Sequence, residues 1–155
     1  MRSAYKYLAH TIAGLVAFQA AVMVFAIAGL YNWVSDGNEL TESHLQQDSD
    51  LEFTGVIGFM LHGIVGMNLI PLLALILLII SFFAKIPGGV KWAAIVLGLV
   101  VLQVALGLFG HKTPWAGLFH GLNALILFTV ALRAALRVET SSADVARTTE
   151  DAAVR

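Results

Sequence analysis

Four long apolar runs constrain this chain more than any other feature of its sequence. They extend over residues 7–30, 53–83, 90–109 and 115–136, and each contains at most one Asp, Glu, Lys or Arg. A bilayer core of about 30 Å needs roughly 20 apolar residues in a helix to cross it. Since backbone groups cannot stay unpaired in lipid, each run is expected to be helical. The sequence therefore predicts an all-α, multi-pass integral membrane protein, with a four-helix bundle over residues 1–137.

The composition excludes other classes of protein. Of the 155 residues, 59% are hydrophobic and 12% are charged, whereas a soluble domain carries about 25% charged residues. The net charge of −1 provides no basic surface, so the expected partner is the lipid bilayer and not nucleic acid. The absence of cysteine excludes disulfides, thiolate metal sites and c-type haem attachment.

The second apolar run is longer than a bilayer requires. At 1.5 Å per residue, a helix over residues 53–83 would be about 45 Å long, so it is expected to tilt, kink or protrude. Pro71 removes one backbone donor and clashes with the preceding turn, so it marks the expected position of a kink.

The distribution of cationic residues predicts the orientation, because Lys and Arg are enriched on the cytoplasmic side. They cluster at both termini and in the second connection: Arg2, Lys6, Lys85, Lys91, Arg133 and Arg137. The first connection, 31–52, has no Lys or Arg and six acidic residues. We therefore expect both termini in the cytoplasm and the acidic loop outside a bacterial-type plasma membrane. The polar residues 138–155 are expected to form a mobile cytoplasmic tail.

The two halves of the chain resemble each other. Gln19 and Gln103 lie in the first helix of each half, within similar segments rich in Leu, Val and Ala. The second helix of each half carries a His-Gly pair, which begins at His62 or at His120. An asparagine follows each pair: Asn68 and Asn123. Because two helices return the chain to its starting side, the sequence predicts two parallel-repeat hairpins related by an axis along the membrane normal.

The two intramembrane histidines are the candidate functional residues. Ionisable side chains inside a span are costly and usually face the bundle interior with a partner. The predicted axis would place His62 and His120 on opposite sides of a central space. The residues one turn away, and a glycine nearby, are all small: Gly58, Gly66, Ala116, Gly117 and Ala124. Such clearance suits a flat porphyrin, so we expect the pair to ligate the iron of one b-type haem.

Simpler interpretations of these residues remain open. Each histidine could hydrogen-bond across helices, and small residues also serve helix packing. Gln19 and Gln103 could support the histidines or bond between helices. His111 and Lys112 could meet haem propionates at the outer mouth, or they could snorkel beside an aromatic belt. Without cysteine or a further acidic or histidine ligand, a tetrahedral zinc site is not expected.

A family resemblance points to the same cofactor. The segment 102–107 (LQVALG), followed by Pro-Trp at 114–115 and Phe-His at 119–120, is similar to the third and fourth helices of one half of haem A synthase. That family has two four-helix halves, each with a histidine on its second and fourth helices, and such a pair can ligate haem. His62 and His120 stand at the matching positions of a single half. The chain also resembles small uncharacterised four-helix bacterial membrane proteins with a similar Pro-Trp turn before a histidine.

Departures from the family limit what the resemblance implies. Haem A synthases carry a glutamate three residues before the helix-2 histidine, where this chain has Phe59, and many carry a loop cysteine pair that this chain lacks. The oxidative chemistry of that family is therefore not implied. We expect a haem-binding protein for electron transfer or haem handling, as an accessory subunit of a respiratory membrane complex or as a homo-oligomer.

Two other functions remain open. A cofactor-free interaction subunit would pack its helix faces lined by small residues against a larger complex. The glycines that would then face the partner are Gly14, Gly29, Gly98 and Gly107. Gln19, Gln103 and the break at Pro71 would instead suit a small transporter or a quinone-binding protein. The visible spectrum of the purified protein separates the haem hypothesis from both.

Overall fold

Helices account for all the regular structure in the described part of the chain. The computed structural model describes residues 1–45, 52–110 and 112–153. Four helical spans in these residues are long and apolar enough to cross a membrane, with mean hydropathies between 1.6 and 2.6: Arg2–Ser35, Ile57–Ala84, Gly89–Gly110 and Pro114–Val138. The predicted all-α class and the four apolar helices are confirmed for this part of the chain.

The helical elements follow in the order α1 (Arg2–Ser35), a 3-10 helix (Glu42–Leu45), α2 (Ile57–Ile64), a π-helical turn (Val65–Leu69), α3 (Ile70–Ala84), α4 (Gly89–Gly110) and α5 (Pro114–Ala153). The second span begins at Ile57 and not at Phe53, because the intervening Gly55 has a φ of 102°, which is not helical. The last helix, predicted to end near residue 136, continues to Ala153. Residues 154–155 lie outside the described part, and the mobility of the tail stays a prediction.

The second span is interrupted where the sequence predicts a kink. The π-helical turn Val65–Leu69 ends immediately before Ile70 and Pro71. Pro71 has no N–H, and its ring crowds a carbonyl of the preceding turn, so a regular α-helix loses a hydrogen bond at this point. The wider π turn accommodates that mismatch, and such turns are frequent at functional sites.

The helices pack in a ring. α1 contacts both the second span and α5, and α4 contacts both α3 and α5. The second span and α5 therefore lie diagonally opposite each other. α2 packs mainly on α1, whereas α3 packs on α1 and on α4. The bundle is thus continuous at the level of α3, which we call the closed half. At the level of α2, the second span packs on α1 and no longer on α4. We call this level the split half, and we call the helix pairs α1–α2 and α4–α5 its two hairpins.

The buried core occupies the closed half. Tyr5, Leu77, Val96 and Leu127, one from each span, are at most 1% exposed. The Tyr5 hydroxyl donates a buried hydrogen bond of 3.0 Å to the Gly89 carbonyl, which ties the start of α1 to the start of α4. In lipid, close packing and such interhelical bonds hold helices together, since burial of apolar surface gains little there. The closed half is therefore the rigid base of the bundle.

Large apolar side chains cover the exterior of the four spans. Exposed examples occur on every span: Phe25, Leu72, Val101 and Ile126. So extended an apolar surface is rare on soluble monomers. We conclude that the exterior of the bundle contacts the lipid bilayer.

Candidate histidine site

The split half holds the two intramembrane histidines at one level. His62 lies five residues after Ile57, where α2 begins, and His120 lies six residues after Pro114, where α5 begins. Their ring centroids are 6.0 Å apart, and the ring planes are inclined at 58°. Because α2 and α5 lie diagonally opposite each other, the rings meet across the interior of the bundle. The structure thus brings together the two residues that the sequence analysis singled out.

Each histidine is oriented by a backbone carbonyl of its own hairpin. His62 Nδ1 lies 3.3 Å from the carbonyl oxygen of Gln19, and His120 Nδ1 lies 3.0 Å from that of Gln103. A carbonyl oxygen can only accept, so each Nδ1 carries the proton and donates it. In the neutral ring, Nε2 then holds the lone pair. Metal-ligating histidines are commonly held in this way.

The two Nε2 atoms are available to a ligand. No described residue forms a hydrogen bond with either atom. Neither atom is completely buried, because the completely buried side-chain atoms without a partner in the described part of the chain are the two amide atoms of Gln19. A metal–imidazole bond is about 2.0–2.1 Å and a ring nitrogen lies about 1 Å from its ring centre, so two imidazoles on one ion would have centroids at most about 6 Å apart. The observed separation of 6.0 Å matches this spacing.

Two protein ligands suit a haem better than a bare metal ion. Among the residues that the structure describes, no group of three or more His, Cys, Asp or Glu side chains could hold a metal ion. A structural zinc site needs four protein ligands, whereas a porphyrin brings its own four nitrogen atoms and needs only axial ligands from the protein. His62 and His120 are therefore the residues of this chain that could hold a haem.

The small residues predicted to flank the histidines differ in their surroundings. A Cβ at Gly58 would collide with the Val22 carbonyl, so this glycine serves the close approach of α1 and α2. Ala116 is buried, and Ala124 packs against the core. Nothing lies within 4 Å of a Cβ placed at Gly117. Among the described residues, Gly117 is therefore exposed with free space around it, whereas Gly58 provides a helix contact and no clearance for a ligand.

Gly107 contacts the ring of His120, although the sequence had suggested it as a glycine that would face an external partner. A Cβ there would lie 3.1 Å from Cε1 and 3.3 Å from Nδ1 of His120, so the glycine lets the imidazole ring pack against α4. The signal in the sequence was its position one turn after Gln103, on the same helix face. Gly29 packs in a similar way against the carbonyl of Thr54. Both glycines therefore face the inside of the protein and not an external partner.

A network of amides supports His120. The side chain of Gln103 donates from Nε2 to the His120 carbonyl at 3.0 Å, and its Oε1 accepts from Asn123 Nδ2 at 2.6 Å. Asn123 also donates to the carbonyl of Leu99 at 2.9 Å and is 4% exposed. This network ties α5 to α4 immediately beside the site. Asn68, its predicted counterpart, bonds instead to the Ile64 carbonyl of its own helix.

The side chain of Gln19 has no such partners. It is 7% exposed, and both its Nε2 and its Oε1 are buried without a hydrogen bond to any described residue. Its Oε1 lies 3.6 Å from a Cβ placed at Gly66, on the π-helical turn. The backbone carbonyl of Gln19 therefore orients His62, while its amide faces the irregular turn of the same hairpin. Support for the histidines thus comes from the carbonyls of both glutamines, but from only one of the two amides.

The remaining candidates lie near the start of α2 and between α4 and α5. Lys112 is exposed, and its ammonium nitrogen lies 5.9 Å from the centroid of the Phe109 ring, a cation–π contact. Its contact with a propionate stays a prediction, and His111 lies outside the described residues. Phe59, at the position of the family's glutamate, packs edge-on against Phe53 with ring centroids 6.2 Å apart.

A surface depression of about 430 Å³ lies elsewhere, along the second half of α1. It is lined by Met23, Val24, Ile27, Ala28, Tyr31 and Asn32. Neither histidine reaches it, and its only side chains with hydrogen-bonding groups are Tyr31 and Asn32. The histidine pair is therefore the candidate site.

The four apolar spans and the facing histidines define a helical membrane bundle with a two-histidine site. Comparison with known protein families, with curated proteins and with solved structures finds no match for this chain. The resemblance to one half of haem A synthase therefore stays a prediction based on its motifs.

Proposed function

We propose that this chain is a membrane-bound b-type haem protein that serves electron transfer or haem handling, with His62 and His120 as its axial ligands. The observation that carries the proposal is the 6.0 Å separation of two rings whose Nδ1 atoms both lie against backbone carbonyls. Haem iron bound there would supply one-electron redox chemistry. The chain itself supplies the two imidazoles and the backbone carbonyls that orient them.

The visible spectrum of the protein tests this proposal. We expect protein expressed with ample haem to carry a Soret band that shifts on reduction. The double variant His62→Ala/His120→Ala is expected to lose the band, whereas His10→Ala, which changes a histidine outside the pair, is expected to keep it. A colourless wild-type protein, or a double variant with as much haem as the wild type, would refute the proposal.

We further propose that the bundle consists of two parallel-repeat hairpins with both termini in the cytoplasm and the acidic first loop outside a bacterial-type plasma membrane. The equivalent bonds from His62 to Gln19 and from His120 to Gln103 support the repeat. The orientation rests on the cationic residues at the closed end. There, the Arg137 guanidinium lies 5.1 Å from the Trp92 ring centroid, a pairing typical of a membrane interface.

Cysteine labelling tests the orientation cleanly, because the chain has no cysteine of its own. We expect Asn38→Cys, in the first connection, to react with a membrane-impermeant maleimide on intact cells. Ser3→Cys is expected to react only after the cells are permeabilised. The reverse pattern would contradict the proposed orientation.

A second candidate function is that of a cofactor-free subunit, within a respiratory membrane complex or a homo-oligomer. It is favoured by Gly14 and Gly98, which are exposed and have nothing within 4 Å of an added Cβ, so a partner helix could approach closely. Colourless protein that co-purifies with a stoichiometric membrane partner would support this function over haem binding.

A further inference from the structure

The two histidines have unequal support. His120 is held on three sides: its Nδ1 lies 3.0 Å from the Gln103 carbonyl, its carbonyl accepts from the Gln103 amide, and its ring packs on Gly107. Asn123 joins the same network through Gln103. A ligand whose orientation is determined by several contacts is preorganised, so little freedom is lost when a metal binds.

His62 is held more weakly. Within the described part of the chain its ring has one hydrogen bond, to the Gln19 carbonyl, and this bond is 3.3 Å long. The amide of Gln19, which would correspond to the supporting amide of Gln103, has no partner. An amide buried without hydrogen bonds destabilises the arrangement that buries it. The surroundings of His62 are therefore the less stable of the two.

The backbone that carries His62 is also the more adaptable of the two. α2 has only eight residues, and the π-helical turn Val65–Leu69 follows it directly. It packs mainly on α1, whereas His120 lies on the long helix α5, which packs along both α1 and α4. A π turn costs hydrogen-bond geometry and can change its register locally. Movement of α2 would shift His62 without disturbing the core of the closed half.

We propose that His120 is the anchoring ligand and His62 the exchangeable one, so that a small neutral molecule such as a diatomic gas can take the position of His62 on the iron. The inference rests on the proposed haem site and assigns it a further class of ligand. The exchange would be a ligand substitution without oxidation or reduction: the bond from His62 Nε2 to the iron would break, and the lone pair of the incoming molecule would form the new bond. The ring of His62 is then held only by its bond to Gln19.

Carbon monoxide and the two single variants test the ranking. Reduced wild-type protein is expected to bind CO with a shift of its Soret band. The variant His62→Ala is expected to retain haem and to give the same CO spectrum. The variant His120→Ala is expected to bind haem at least ~10–100-fold more weakly, because removing only the groups that support a metal ligand already lowers affinity by that factor. Haem per protein is measured as the pyridine haemochrome, and helix content by circular dichroism.

The outcomes distinguish this inference from the proposal it rests on. Colourless wild-type protein refutes haem binding and the ranking with it. A coloured wild-type protein that takes up no CO refutes the exchange, and this result does not depend on whether either variant folds. If both single variants lose haem equally, or if only His120→Ala retains it, the ranking of the two ligands is refuted but the proposed haem site is not.

Discussion

The two glutamines next to the histidines should respond in opposite directions to the same substitution. Gln19 and Gln103 occupy corresponding positions, but the amide of Gln19 is buried without partners, and that of Gln103 bonds to His120 and Asn123. Methionine has nearly the volume of glutamine and needs no hydrogen bonds. Gln→Met therefore removes the amide at each position without opening a cavity, and each variant is the control for the other.

The magnitudes follow from the hydrogen bonds. A buried group without its partner costs about 1–3 kcal/mol, so Gln19→Met in the haem-free protein is expected to stabilise the fold by about that amount. Gln103→Met removes two bonds and leaves one N–H of the buried Asn123 amide without an acceptor, so it is expected to destabilise by about 1–3 kcal/mol. For a chain of this size, 1 kcal/mol changes Tm by about 2–4 °C.

Thermal unfolding in detergent, followed by circular dichroism, measures both variants under one condition. We expect the Tm of Gln19→Met to lie above that of the wild type and the Tm of Gln103→Met to lie below it. If Gln19→Met lowers Tm as much as Gln103→Met does, the amide of Gln19 has a partner in the membrane, and the reasoning from its unpaired state is wrong.

Two further substitutions test other contacts. Gly107→Ala should displace the His120 ring by a few tenths of an ångström, at a cost of about 1–3 kcal/mol that should appear as less haem per protein. Gly121→Ala, with nothing within 4 Å of the new Cβ, should keep its haem, and equal loss from both would reject the ring contact. Tyr5→Phe should lower the free energy of unfolding by about 0.5–1.5 kcal/mol, because the carbonyl of Gly89 loses the bond from the tyrosine hydroxyl. An unchanged unfolding midpoint in denaturant would rule out a stabilising role for that bond.

Local features of the sequence predicted the parts of the fold that depend on one segment at a time. The four apolar runs predicted four helices, because a backbone surrounded by lipid must satisfy its hydrogen bonds within itself. Pro71 predicted the interruption of the second span, because the missing N–H is a property of that residue alone. The helix ends were less accurate: Gly55 delays the start of α2, and α5 continues beyond the predicted end.

The candidate site was predicted only in outline. His62 and His120 were identified because ionisable groups inside a span are costly. Hydropathy could not predict that their rings lie 6.0 Å apart, since that distance depends on how diagonal helices are held by the packing of the other two. Hydropathy also could not predict the role of Gly58. The sequence suggested that this glycine leaves room for a ligand, but in the structure it allows close contact with α1.

Hydropathy and residue type thus decide which segments enter the membrane and which side chains are out of place there, because each of these depends on the free energy of one segment in lipid. The arrangement of the helices decides the rest: which nitrogen of each imidazole is free, which glutamine amide has partners and which glycine faces a ring. These are properties of contacts between helices. Each histidine bonds to a carbonyl that is 43 or 17 positions away in the sequence, and the two groups meet only when the two helices of a hairpin pack together.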